Sequence, residues 1–131
     1  MRDRRAVLPG LVLALFAVAG PADDWDEPWK EAEKNRASAP GGEYEELFGK
    51  AFFPVYAPWL NECAQKGSAP MDEDFDLLLK MGAKGGVLEA RIKPETKMAQ
   101  CFRDLARQKT FPTPPRAGYW WLVAMRFNAK P

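Results

Sequence analysis

Histidine is absent from the 131 residues of the chain. The chain therefore lacks the commonest general base near neutral pH, the usual catalytic triads and the standard zinc motifs. It also contains no glycine-rich phosphate-binding loop of the G-x-x-x-x-G-K or G-x-G-x-x-G pattern. These absences argue against an enzyme, and we expect neither a cofactor nor a bound metal.

A group of acidic residues near the middle of the chain is the remaining candidate for catalysis or metal binding. The group consists of Asp72, Glu73, Asp74 and Asp76. Paired carboxylates can cleave glycosides, but acidic residues where a strand begins more often solvate a turn. The spacing also fails as a calcium loop, because Leu77 replaces the required glycine and Ala83 stands where the bidentate acid belongs.

An excess of charge of one sign is lacking as well. The chain has 19 lysines and arginines against 18 aspartates and glutamates, a formal net charge of +1. Cleavage of an N-terminal signal would remove three arginines and one aspartate, which takes that net charge from +1 to about −1. A near-neutral protein has no electrostatic reason to bind nucleic acid or an anionic membrane.

The N-terminus has the features of a secretory signal peptide. A basic head at residues 1–5 precedes an apolar run at residues 6–19 and the small residues 20–22. The run is shorter than the roughly 20 residues of a membrane span, and Ala17-Val18-Ala19 fits the A-x-A cleavage rule. We therefore predict a signal peptide over 1–22 and a periplasmic or secreted protein. A retained anchor is the alternative, and membrane contact is expected only in that case.

Export changes the interpretation of the two cysteines, Cys63 and Cys101. An even count in an oxidising compartment favours a disulfide. Closing a loop of roughly 38 residues would remove unfolded-chain entropy worth about 4 kcal/mol. Two buried free thiols are the alternative.

Residues 23–42 are predicted to form a flexible N-terminal arm. Trp25 and Trp29 lie one helical turn apart, so a short helix can form here. The sequence RASAPGG at 36–42 is typical of a flexible linker. The two tryptophans could nevertheless pin the arm to the surface of the domain.

Residues 43–131 are predicted to form one α+β domain. Apolar residues three and four apart indicate a first helical region, which Pro54 and Pro58 divide into segments over 43–53 and 57–66. Period-two alternation indicates strands over 74–81, 86–92 and 118–127, and a second helix is expected over 94–109.

The order of these elements is helix, strand, strand, helix, strand. A glycine-rich turn at 82–86 predicts a hairpin between the first two strands. A right-handed crossover then favours a three-stranded antiparallel sheet of order 2-1-3, with the two helical regions packed on one face. The two cysteines would lie on the core-directed faces of these helices.

Several of these features recur in a fixed order between residues 52 and 127. They are LNEC at 60–63, Gly86-Val87 closing the turn, MAQCFRDL at 98–105, Phe111-Pro112, and a strand ending in Phe127. Together they resemble the TonB C-terminal fold, especially its AgmX/PglI C-terminal type from gliding-motility and related envelope proteins. The resemblance implies a module that binds an envelope protein. The chain lacks the long proline-rich spacer expected of a force-transmitting member of that family.

A sheet covered on one face leaves its other face and two edges available. A third strand at an edge can accept an extended peptide by strand addition. The predicted partner-binding residues, which would project from the open face, are Trp120, Leu122, Leu78 and Arg126. Alternatively, Trp120, Leu122 and Leu78 pack under the N-terminal arm or belong to the core.

Two functions follow as hypotheses from this surface. The first is a periplasmic module of the TonB C-terminal type that binds an envelope partner through a sheet edge. The alternative is a secreted inhibitor or immunity-like protein that blocks a hydrolase. It would use the loop at 110–118, whose prolines reduce the entropic cost of binding.

Overall fold

The computed structural model describes residues 24–67 and 73–127, so the predicted signal peptide at 1–22 lies outside the described residues. In chain order the elements are α1 (Asp26–Ala37), α2 (Ala39–Gln65), β1 (Phe75–Met81), β2 (Val87–Lys93), α3 (Lys97–Ala106) and β3 (Tyr119–Met125). Within these two ranges, every helix is too short or too polar to cross a membrane. From α2 onward the predicted order of elements is confirmed.

β1 lies in the centre of an antiparallel sheet of order β2-β1-β3, as predicted. The register places Leu79 opposite Ala90 on one side and opposite Trp121 on the other. A tight turn joins β1 to β2, and within it the N–H of Gly82 donates to the carbonyl of Gly86 at 2.7 Å. The predicted hairpin is therefore confirmed, and β3 occupies an edge of the sheet.

A single helix, α2, replaces the two segments predicted over 43–53 and 57–66, so the predicted break is wrong. Pro54 and Pro58 lie inside this helix, and both are exposed. Each removes one backbone donor. Residue i−4 lies on the same side of a helix as residue i, so the carbonyls that lose a donor face solvent and can be hydrated. The opposite side of α2 buries Tyr44, Phe48, Phe52, Trp59 and Cys63.

The main core lies between the sheet and the helices α2 and α3, on the face predicted for two helical regions. Phe48 stacks on Phe111 with ring centroids 4.7 Å apart, and Tyr44 meets Trp121 edge-on at 5.1 Å. A disulfide joins Cys63 of α2 to Cys101 of α3 across a Cα–Cα distance of 5.8 Å. The predicted cysteine pairing is confirmed.

No linker separates α1 from α2, contrary to the prediction for residues 36–42, because only Ser38 lies between them. The Oγ of Ser38 accepts a hydrogen bond from the N–H of Gly41 at 3.2 Å and donates one to the carbonyl of Asn35 at 2.6 Å. A Cβ on Gly41 would lie 1.9 Å from that carbonyl oxygen, so glycine is required where the two helices meet. Segment 36–42 is therefore a capped helix junction.

Helix α1 covers the face of the sheet that is opposite to the main core. Ala32 forms a second buried cluster with Leu78, Trp120 and Leu122, and Trp25 packs against it. This face was expected to be open, and that expectation is wrong. The short side chain of Ala32 lets the backbone of α1 approach the sheet closely, so a largely polar helix still covers apolar residues.

Candidate functional site

Three of the four residues predicted to bind a partner are buried. Leu78 is 0 % exposed, and Trp120 and Leu122 are each 7 % exposed. They lie on the predicted side of the sheet, opposite to Trp121, but α1 covers that side. Their predicted exposure is therefore wrong, and the structure matches the alternative in which they pack under the N-terminal arm.

Arg126, the fourth predicted residue, remains accessible beside β3. Its side chain is 48 % exposed, and one guanidinium nitrogen lies 2.8 Å from Oδ1 of Asp76. The guanidinium also donates to the carbonyl of Phe75 at 3.2 Å. Arg126 thus holds the ends of β1 and β3 together at the margin of the sheet.

The last turn of α1 reaches the outer edge of β3, the edge that faces away from β1. Nδ2 of Asn35 donates to the carbonyl of Trp120 at 2.9 Å, and a guanidinium nitrogen of Arg36 donates to the carbonyl of Leu122 at 2.9 Å. Asn35 is only 4 % exposed, and its Oδ1 accepts from Arg116 at 2.9 Å. These side chains satisfy two carbonyls that an edge strand would otherwise present to solvent.

Ala124 continues the same outward-facing series of backbone groups. Alternate residues of an edge strand point their N–H and C=O to the same side, so those of Ala124 point outward like the carbonyls of Trp120 and Leu122. Ala124 is exposed. Among residues 24–67 and 73–127, no bond from outside the sheet reaches its backbone or the N–H of Leu122. This part of the edge can pair with another strand.

Helix α2 runs alongside this free part of the edge and forms a groove with it. The groove encloses about 550 Å³. It is lined by Glu45, Gly49, Phe52, Phe53 and Tyr56 of α2 and by Val123, Ala124, Met125 and Arg126 beside them. A smaller section of about 270 Å³ continues past Leu122 to Arg36. Phe53 is 81 % exposed on the rim of the groove. The groove therefore offers apolar surface next to unpaired backbone groups.

The other edge of the sheet, β2, has a different character. Glu89, Arg91 and Lys93 alternate along it, and charged side chains protect an exposed edge against pairing. Arg91 is also engaged, because it pairs with Glu89 at 2.7 Å and its guanidinium lies 5.1 Å from the ring centroid of Trp120. The edge of β3 is the better candidate for strand addition.

The loop at 110–118 is anchored at several points. The N–H of Phe111 donates to the carbonyl of Gly85 at 2.9 Å, and the hydroxyl of Tyr44 donates to the carbonyl of Pro112 at 2.9 Å. Burial, and secondly the nearby Tyr119, raises the pKa of Tyr44 above its ordinary value. The hydroxyl therefore stays protonated and serves as a donor that fixes the loop.

Within the described residues, no three histidine, cysteine, aspartate or glutamate side chains cluster as metal ligands would. Asp72, one of the acidic residues considered above, lies outside those residues. Sequence reasoning missed Asn35, Arg36 and the α2 side of the groove. The Ser38-Ala39-Pro40 segment, a helix N-cap followed by proline in the first turn, was the signal that could have placed α1 next to α2.

No protein-family model, curated protein or solved structure matches the chain. The resemblance to the TonB C-terminal fold therefore rests on the sequence features given above. The structure itself establishes an α+β fold with a three-stranded antiparallel sheet, an inter-helix disulfide, and a groove beside the outer edge of β3.

Proposed function

We propose that this protein is an exported protein–protein interaction module, of the TonB C-terminal type, that binds an envelope partner. The partner segment adds as a strand to the outer edge of β3, in the groove beside α2. One observation carries the proposal: Ala124, whose outward backbone groups have no partner among the described residues, lines a largely apolar groove. The edge of β3 is the predicted one, but the contact excludes Leu78, Trp120 and Leu122, which α1 covers.

Strand addition gives affinity through main-chain hydrogen bonds and specificity through pockets for alternate side chains. The side chains of Val123 and Met125 lie on the α2 side of the sheet, with the main core. Residues of an added strand opposite them would point into the groove, toward Phe52, Phe53 and Tyr56. The proposed partner therefore presents an extended segment with apolar residues at alternate positions.

Two further properties support a binding role outside the cytoplasm. The disulfide between Cys63 and Cys101 is typical of proteins from oxidising compartments. The near-neutral charge and the absence of histidine favour recognition by shape and backbone pairing over electrostatic or catalytic roles. These properties support periplasmic or secreted localisation as part of the proposal.

Photo-crosslinking in the native envelope tests the proposal. A benzoylphenylalanine at Phe53 should give an adduct with an envelope protein, whereas one at Leu88, which is 62 % exposed beside the β2 edge, should not. Ala124→Pro should abolish the adduct, because proline removes the outward N–H without removing a bond between β1 and β3. Ala124→Thr keeps that N–H and serves as the control. An adduct that survives Ala124→Pro would contradict strand addition.

The anchored loop at 110–118 favours inhibition of a hydrolase as a second candidate. Thr113, Pro115 and Arg116 are exposed on a loop that bonds to Gly85 and Tyr44, so little entropy is lost when it binds. Crosslinkers at Thr113 and Phe53 separate the two functions. A hydrolase adduct from Thr113 without any adduct from Phe53 would support this candidate.

A further inference from the structure

We infer that the groove receives the C-terminal end of the partner chain, whose terminal carboxylate binds to Arg36 and to the N–H of Leu122. The inference rests on the proposed strand addition at β3 and specifies its partner. It depends on two observations, which are a blocked section of the strand edge and a partly unused guanidinium at that block.

The edge of β3 is blocked at one end of the groove. The carbonyls of Trp120 and Leu122 already accept hydrogen bonds from Asn35 and Arg36. Asn35 is buried and tied to Arg116, so the last turn of α1 is held in place. A strand that enters from the side of Arg126 can pair with Ala124 but cannot continue past Leu122. The partner must end there or turn away from the sheet.

Arg36 gives the blocked end of the groove a positive charge. A guanidinium carries five N–H donors, and Arg36 commits one nitrogen to the carbonyl of Leu122 and lies 5.8 Å from the ring centroid of Trp121. No carboxylate of the described residues is ion-paired with it, although Glu45 also lines this section. Its remaining donors suit a carboxylate, which a guanidinium can bind through two parallel hydrogen bonds.

The direction of the partner follows from these positions. Its chain runs from Arg126 toward Leu122, which is antiparallel to β3 and matches the rest of the sheet. When one partner residue pairs with Ala124, the residue two positions later lies opposite Leu122. If that residue is the last one, its carboxylate meets the outward N–H of Leu122 and the guanidinium of Arg36. The penultimate side chain then lies opposite Val123 and enters the groove.

The probes are short peptides selected on the full-length oxidised protein from a random library displayed with free carboxyl ends. Each is measured by fluorescence anisotropy as the free acid and as the C-terminal amide. Amidation should weaken binding by at least about tenfold, since it removes a charge-assisted hydrogen bond. Arg36→Gln keeps a donor for Leu122 but loses the charge, so it should weaken the acid similarly and leave the amide nearly unchanged.

Controls separate this inference from the proposed function. Arg91→Gln, an arginine substitution on the opposite edge strand β2, should not change the effect of amidation on binding. Arg36→Lys should keep part of that effect. If thermal melting shows that Arg36→Gln lowers stability, the comparison of acid and amide on the unchanged protein decides. Acid and amide that bind equally, while Ala124→Pro abolishes both, would overturn the inference alone. Peptides that bind equally well to Ala124→Pro would overturn the proposed function together with it.

Discussion

Replacing Trp120 by alanine should strongly destabilise the protein, because its ring fills the space between α1 and the sheet. Trp120 is 7 % exposed and belongs to the cluster of Ala32, Leu78 and Leu122. The cations of Lys80 and Arg91 lie 5.8 Å and 5.1 Å from its ring centroid. A buried tryptophan replaced by alanine costs about 3–5 kcal/mol. We expect the lower end, about 3 kcal/mol, because α1 and the two long cationic side chains can partly close the cavity.

For a domain of about 100 residues, 1 kcal/mol corresponds to about 4–8 °C in the melting temperature, so Trp120→Ala should lower it by about 12–24 °C. Circular dichroism melts measure this, and loss of helical signal below the main transition would report release of α1. Phe53→Ala is the matched control, since Phe53 is 81 % exposed and its truncation should change stability by no more than about 0.5 kcal/mol. If Trp120→Ala lowers the melting temperature by less than about 4 °C, the packing of α1 on this face is refuted.

Three further predictions concern the junction, the disulfide and Tyr44. Gly41→Ala should destabilise the protein by about 2 kcal/mol or more, because the new Cβ would overlap the carbonyl of Asn35. The Cβ of Gly42→Ala would have nothing within 4 Å, so this control should stabilise the protein by up to about 1 kcal/mol. Urea unfolding of the two variants measures the difference. Reduction of the disulfide between Cys63 and Cys101 should cost about 4 kcal/mol, measured by urea unfolding with and without reductant, and an unchanged midpoint would contradict the bridge. The raised pKa of Tyr44 means that the folded state keeps a proton that the unfolded state loses above the ordinary value of 10.0. Stability from this group should be fully present below that pH and fall above it, and Tyr44→Phe should flatten that fall in melts at high pH.

Local patterns in the sequence were sufficient to predict the strands, the faces of β1 and β3, and the order of the sheet. The alternation of tryptophans in β3 placed Trp120 and Trp121 on opposite faces, because in a strand this depends only on neighbouring residues. The break predicted at Pro54 and Pro58 was wrong because the effect of proline depends on which side of the helix meets solvent.

The cover over the second face could not be predicted from periodicity. Helix α1 is polar overall and buries only Pro28, Ala32 and Asn35, so it has no apolar stripe of the kind that identifies a core helix. The bonds from Asn35 and Arg36 to β3 join residues 85 and 86 positions apart, and no local pattern encodes such pairs. The groove depends on these contacts and on the packing of α2. For that reason the sequence predicted that β3 lies at an edge of the sheet but did not predict the groove beside it.

Backbone exchange at Ala124 is the most direct test of strand addition at β3. In the free protein the amide of Ala124 should exchange quickly with solvent, since it faces outward and is exposed. A bound free-acid peptide should slow exchange at Ala124 and Leu122 and give cross-strand nuclear Overhauser contacts to Ala124, while amides at the β2 edge stay unchanged. Tight binding of the peptide with unaltered exchange at Ala124 would contradict the account.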